Sequence, residues 1–184
     1  NQLKKKFILL NSSLENIKRF SSKLKAYRNF KERKISTVKI EKKIDNKNLY
    51  VSKPNFGAGS LDIKLIEPRN LTKKSTSRVI QKFYPGKKGS FVMLCSKNNF
   101  EVLCCNEQVV NIKKKRILQT GLIMGGLESY RKEIEKIGRQ IYKNFSGLFG
   151  YIGVDILLEE KQWKIIEVNP RFTSSLVGLE KSYG

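Results

Sequence analysis

Asp155, Glu167 and Asn169 carry the oxygen atoms of this chain best suited to a divalent cation. Two carboxylates and an amide oxygen form a hard-oxygen set, the kind that holds Mg2+ against nucleotide phosphates. Residues 153–158 and 163–168 read as two strands joined by the turn Glu159-Glu160-Lys161-Gln162, which brings Asp155 and Glu167 toward the same end of one ladder. Alternation then puts Glu167 and Asn169 on one face of their strand. Apolar neighbours flank both acids, unlike the evidently exposed Glu159 and Glu160. A solvated hairpin with acids near its turn would carry the same residues, and the pattern alone does not choose between the two.

Upstream, a strand-like run ends in Lys53-Pro54-Asn55-Phe56-Gly57-Ala58-Gly59-Ser60. A strand that delivers a lysine and then a Gly-rich turn can set backbone N–H groups around phosphate oxygens while the ammonium offsets their charge. The lysine precedes the glycines and no helix-opening Gly-Lys-Ser follows, so this is not a Walker A loop. A tight turn between strands is the other reading. Arg171 lies just past the second carboxylate strand, in Asn169-Pro170-Arg171-Phe172-Thr173-Ser174-Ser175. A guanidinium there could bind a substrate carboxylate or stabilise a developing acyl phosphate, or simply be solvated. The chain has no His, which removes the Ser-His-Asp triad, the Cys-His pair and any His-ligated metal or haem. Catalysis would fall to carboxylates, Lys, Arg and metal-bound phosphates.

The elements that must position these groups follow from apolar spacing. Leu14, Ile17, Phe20, Leu24, Tyr27 and Phe30 recur at three and four, predicting one amphipathic helix over residues 13–33 with Ser13 or Ser12 as N-cap. Residues 35–40 and 48–53 read as strands separated by Asp45-Asn46-Lys47, and residues 61–66 and 78–84 as two more, the last stopping at Pro85-Gly86. Residues 68–77 read as loop. Residues 90–96 and 100–105 flank Lys97-Asn98-Asn99, a hairpin pattern, and a second amphipathic helix spans residues 127–145. The pattern is α+β in two lobes, residues 1–84 and 85–184, each with strands and one long helix. A cleft between two lobes is where ligands usually sit.

The chain of 184 residues has 38 Lys+Arg against 16 Asp+Glu, a net charge of +22. The first 50 residues hold 15 basic and 4 acidic side chains, residues 51–120 hold 14 and 4, and residues 121–184 hold 9 and 8, so half of the acids sit in the last third. Lys outnumbers Arg 29 to 9, whereas base and phosphate recognition favours the Arg fork. The excess therefore reads chiefly as a solvated Lys-rich surface. Nucleic acid is disfavoured as a partner because the aromatics follow core periodicity and form no exposed stacking platform. Cys95, Cys104 and Cys105 have neither even number nor C-x-x-C spacing, so no disulfide framework or zinc site is implied and a reducing, cytoplasmic setting is expected. No apolar run approaches the roughly 18 residues of a membrane span.

In this order the pieces resemble the ATP-grasp superfamily of carboxylate–amine ligases. The resemblance covers most of the chain: a helix carrying Ser22-Lys23-Leu24, the strand and loop 51–60, the hinge Val79-Ile80-Gln81-Lys82-Phe83-Tyr84-Pro85-Gly86, and Gly150-Tyr151-Ile152-Gly153-Val154-Asp155 leading to Glu167-Val168-Asn169-Pro170-Arg171. The last two segments look most like the group that includes tyramine–glutamate ligase. The resemblance implies an ATP-grasp fold with ATP in the cleft between the lobes. Lys23 and Lys53 match lysines that contact nucleotide phosphates, residues 57–60 (Gly57, Ala58, Gly59, Ser60) the loop covering them, and Gln81, Lys82 and Phe83 the hinge beside the adenine. Asp155, Glu167 and Asn169 match ligands of Mg2+, with Mn2+ able to replace it, and Arg171, with Lys53, counts as catalytic. The implied activity is ATP-dependent joining of a small-molecule carboxylate to an amine through an acyl phosphate.

Three departures accompany the resemblance. Lys87 and Lys88 stand where many relatives carry an acid for the ribose hydroxyls, Ser22 stands where Asp often precedes the helix lysine, and the usual preceding α/β domain has no room in these residues. A missing N-terminal domain and a homodimer are both compatible with this reading. A remnant that binds nucleotide without catalysis is the main alternative.

Overall fold

The computed structural model describes residues 10–57, 62–68 and 77–183. Ala58, Gly59 and Ser60 of the expected phosphate loop lie outside the described residues, as does most of the polar stretch after Pro68.

The first amphipathic stretch is two helices and not one: α1, Leu14–Ser21, and α2, Lys23–Glu32. Ser13 caps α1 as expected, accepting from the Asn16 N–H. Ser22 breaks the run because its extended backbone (φ −108°, ψ 118°) makes it a second N-cap, accepting from the Lys25 N–H at 3.2 Å. Asn55 fixes that break from a distance. Its Oδ1 accepts from the Ser22 hydroxyl at 3.0 Å and from the Leu24 N–H at 2.9 Å, and its backbone carbonyl accepts from the Lys23 N–H at 3.0 Å. The apolar faces of both helices stay continuous: Phe20 and Phe30 pack on Phe145, with ring centroids 5.1 and 5.7 Å away.

Eight strands form one antiparallel sheet in the order β3-β1-β2-β6-β5-β4-β7-β8. They are β1, Tyr50–Pro54; β2, Lys64–Ile66; β3, Arg78–Lys82; β4, Lys88–Cys95; β5, Phe100–Lys113; β6, Arg116–Ile123; β7, Gly150–Glu159; and β8, Gln162–Asn169. The β4–β5 and β7–β8 hairpins fall where the sequence pattern put them. The expected strand over 35–40 does not form, because the segment passes between two partners and makes a single isolated bridge to each, Thr37 to Ile165 and Ile40 to Gln81. The sequence reading stops β5 at Cys105 and lacks β6 altogether. Polar residues beyond Cys105 hide a 14-residue strand that turns at Lys114-Lys115, both with positive φ (49° and 62°). Two left-handed residues suit a two-residue hairpin turn, although Asn-Gly is the common choice.

β1, β2 and β3 join the rest of the sheet through one paired position, Lys64 with Arg116. Two backbone bonds flank it, Leu65 N–H to Lys115 O at 2.7 Å and Ile117 N–H to Ile63 O at 3.0 Å. After β6 a single 3-10 turn, Glu128–Tyr130, leads into α3, Arg131–Asn144, and the chain closes with α4, Ser175–Tyr183. α3 buries Ile134 and Ile141 completely against Phe91, Met93 and Val102 of β4 and β5. Each such side chain contributes roughly 1.5–3 kcal/mol. The fold is α+β, and the core of α1–α3 on β4, β5, β7 and β8 spans the chain on both sides of the Pro85-Gly86 break. Among the described residues no helix is long and apolar enough to cross a membrane. The three cysteines are free and buried.

Candidate active site

Asp155 stands directly opposite Glu167 in the β7–β8 ladder, and Gly153 opposite Asn169. Directly opposed residues share a face, so both acids and the amide form one cluster. They line a cavity of about 470 Å³, a volume suited to a small molecule. Lys23, Lys53, Gly57, Gln81, Lys82, Phe83 and Arg171 line the same cavity. The fold thus gathers every described residue that the sequence singled out, from segments more than a hundred residues apart.

The break at Ser22 puts Lys23 at the start of α2, where its Nζ reaches Glu167 Oε1 at 3.2 Å and Gly57 O at 3.2 Å. Lys53 is buried on β1 and makes no ion pair among the described residues. Burial pushes its ammonium down to about 8; Glu167 pulls it back up, Lys23's like charge lowers it further, and Asp155 raises it slightly. Asp155 moves the other way, to about 6, first because it is buried and then because Glu167's charge opposes its own. Gln108 donates to Asp155 Oδ1 at 2.7 Å and Asn169 Nδ2 to Oδ2 at 3.2 Å, both favouring the carboxylate. Asn169 Oδ1 in turn accepts from Arg171 Nη2 at 3.1 Å. Asn169 is therefore a bridge between the guanidinium and the acid.

The hinge end is built differently. Gln81 is buried and spends its amide on Val38 O at 3.2 Å, which ties β3 to the segment 35–40 before β1. The Phe83 N–H is given to Leu49 O at 2.8 Å, so any contact from Phe83 to a ligand must come from its carbonyl or its ring. Of the two lysines after the hinge, only Lys88 lines the cavity. Its Nζ donates to Tyr84 O at 3.3 Å and Gly86 O at 3.2 Å and lies 5.5 Å from the Phe83 ring centre, and burial lowers its pKa. Lys87 pairs with Glu107 at 3.0 Å.

Among the described residues no three His, Cys, Asp or Glu side chains converge. A cation here would depend on two carboxylates completed by neutral oxygens, a donor set that suits Mg2+ and not zinc. The site fits such an ion: two acids face each other in a buried setting with an amide oxygen of Asn169 beside them. Sequence reasoning missed Gln108 and Ser90 as cavity residues and placed Lys88 there only as a departure from the family pattern. Alternating polar side chains at Asn106 and Gln108, just past an apolar strand, were the available signal.

The ATP-grasp domain family matches residues 20–175. This chain belongs to that family. Tyramine–L-glutamate ligase of Methanocaldococcus jannaschii is 30% identical over 105 residues, covering 55% of this chain and 32% of that protein. An Archaeoglobus fulgidus structure described as an ATP-grasp superfamily protein superposes with a TM-score of 0.79 at 22% identity, covering 100% of this chain and 56% of its own. The L-amino acid ligase of Bacillus licheniformis gives 0.71 at 18% identity, with coverages of 88% and 43%. These likenesses establish the fold, and the ATP-grasp chain spans less than two thirds of each of these relatives.

Proposed function

We propose that this ATP-grasp chain binds ATP with Mg2+, or Mn2+ in its place, in the cavity and forms the core of a ligase joining a carboxylate to an amine. The observation that carries the reading is the convergence of Lys23, Lys53, Asp155 and Glu167 on one cavity beneath the β3 hinge. Its similarity to tyramine–L-glutamate ligase and to an L-amino acid ligase, each a ligase by name, supports amino acids and amines as substrates. On this reading residues 1–84 supply the lysines and the hinge, and residues 85–184 the acids and Arg171.

The chemistry assigned to each residue follows from its setting. Asp155 and Glu167 hold the cation, with Asn169 completing the set through its amide oxygen. The cation, when bound, supplies charge neutralisation on the phosphate oxygens. Lys23 and Lys53 bind those phosphates, and a buried ammonium offsets anionic charge more strongly than one in water. Residues 57–60 cover the phosphates, and Gln81, Lys82 and Phe83 border the base. Arg171 binds the substrate carboxylate, one oxygen of which attacks the γ-phosphorus; the bond to the β,γ-bridging oxygen breaks and ADP leaves. The amine nitrogen then attacks the acyl carbon, phosphate leaves with the C–O electron pair, and the nitrogen releases a proton to solvent. No protein nucleophile takes part, which suits a chain without His.

The test is phosphate release from ATP with a panel of amino acids and amines. Release is expected only when Mg2+, a carboxylate and an amine are all present, and Glu167→Gln abolishes it. Turnover indifferent to that substitution would overturn the assignment. One observation favours the second reading, a nucleotide-binding remnant: Lys88 occupies the hinge end of the cavity where an acid for the ribose hydroxyls was expected. A remnant gains melting temperature with Mg-ATP and releases no phosphate.

A further inference from the structure

Gln108 has no part in the scheme above, yet it makes the shortest polar contact to either site acid among the described residues, Nε2 to Asp155 Oδ1 at 2.7 Å. The two residues are 47 positions apart and belong to strands that are not paired with each other. β5 carries Gln108, β7 carries Asp155, and β4 runs between them. On β4 the residue opposite Asp155 is Ser90, which is also opposite Asn106 of β5. Asn106, Ser90, Asp155 and Glu167 therefore form one row across four strands. Gln108 stands two residues along β5 from that row, on the same face. Its amide reaches Asp155 diagonally across β4, and the small Ser90, buried in the cavity wall, leaves that path open.

The contact has a specific consequence for a cation. Asp155 faces the like charge of Glu167, and a carboxylate so placed turns away from its neighbour unless held. Gln108 holds Oδ1 and Asn169 holds Oδ2, so one donor on each oxygen fixes the carboxylate plane. Each oxygen keeps a further lone pair for a metal. Gln108 does this with a neutral donor, so the negative charge the cation needs is preserved; a lysine in its place would hold the acid but cancel it. Gln108 also comes from a different element than every assigned cavity residue, the long β5 arm that leads to the joint with β2.

We infer that Gln108 is a positioning residue of the cation site, holding the Asp155 carboxylate in the plane from which it shares a divalent ion with Glu167. The inference rests on the reading of Asp155 and Glu167 as cation ligands. Partners of this kind are worth about 10- to 100-fold in metal affinity.

The experiment titrates wild type, Gln108→Met, Gln108→Ala and Glu167→Gln with Mn2+ in the presence of ATP, counting bound ion by paramagnetic resonance. ATP affinity in EDTA and the melting temperature of the unliganded protein are measured alongside. For both Gln108 variants Mn2+ binding weakens about 10- to 100-fold, while affinity for ATP in EDTA and melting temperature stay at wild-type values. Mn2+ affinity unchanged in both variants overturns the inference and leaves the ligand reading standing. Equal loss of Mn2+ binding and of metal-free ATP binding, with a lowered melting temperature, also overturns it, since Gln108 would then only shape the cavity wall. A wild-type protein that binds no Mn2+, or a Glu167→Gln variant that binds it normally, removes the ligand reading and the inference together.

Discussion

The two ends of the cavity solve the placement of charge in opposite ways. At the acid end most charged and amide groups lean on another: Lys23 on Glu167, Gln108 and Asn169 on Asp155, Arg171 on Asn169. Asp155, Glu167 and Asn169 among them stand in fixed register on paired strands over a buried aromatic core. At the hinge end Lys88 meets, among the described residues, backbone carbonyls and the face of Phe83. A network of mutually held charges tolerates little change, because removing one member strands the others in a low-dielectric setting. A cation resting on carbonyls at the rim can be exchanged at small cost. On the proposed function, chemistry belongs to the acid end, and the hinge end is free to set which ligand is preferred.

That contrast can be broken or sharpened by substitution. Glu167→Gln is expected to have the largest effect, a fall in turnover beyond the roughly 100-fold that loss of a supporting residue produces, measured as phosphate release. Phe145→Ala removes the ring on which Phe20 and Phe30 converge and is expected to cost about 3–5 kcal/mol in denaturant unfolding. Ser22→Ala removes the α2 cap and is expected to cost about 1 kcal/mol, with weaker ATP binding because Lys23 loses its fixed starting point. Lys88→Ala should shift stability by less than about 0.5 kcal/mol and change ATP affinity without abolishing it. A large loss of stability on that change would erase the distinction between the ends.

A pH experiment examines the sheet beneath the acid end. Burial pushes the Cys95 and Cys105 thiols up from 9.0 to about 12. In the unfolded chain they ionise near 9, so between about 9 and about 12 the folded protein binds more protons. The stability these thiols confer is complete below pH 9 and is lost as pH rises toward 12. Iodoacetamide at pH 8 should accordingly leave them unmodified in the folded protein and alkylate them on denaturation. Rapid modification of the native protein would show that this part of the sheet opens readily.

The acid end was the more legible in the sequence. A period-two pattern on either side of a turn fixes register, and register alone places Asp155 against Glu167. The helix faces were legible for the same reason, since Phe20 and Phe30 keep their spacing through the break. What sequence could not show depends on partners distant along the chain. Ser22 ends a helix because Asn55, 33 positions away, engages it. Gln108 reaches its acid across an intervening strand, and residues 35–40 fail as a strand because two separate strands each claim one bridge.

The single rung between β2 and β6 has a mechanical meaning. Interior strands of this sheet share seven or eight paired positions, as β4 does with β5 and β7, whereas here one pair, two flanking backbone bonds and the Lys115–Glu67 ion pair carry the joint. Bonds of this kind net about 1 kcal/mol each in water. Within the sheet, the outer three strands thus hang on a fastening only a few times thermal energy deep, and their place over the cavity is owed as much to the grip of Asn55 on α2 and to the Gln81–Val38 bond as to the sheet itself.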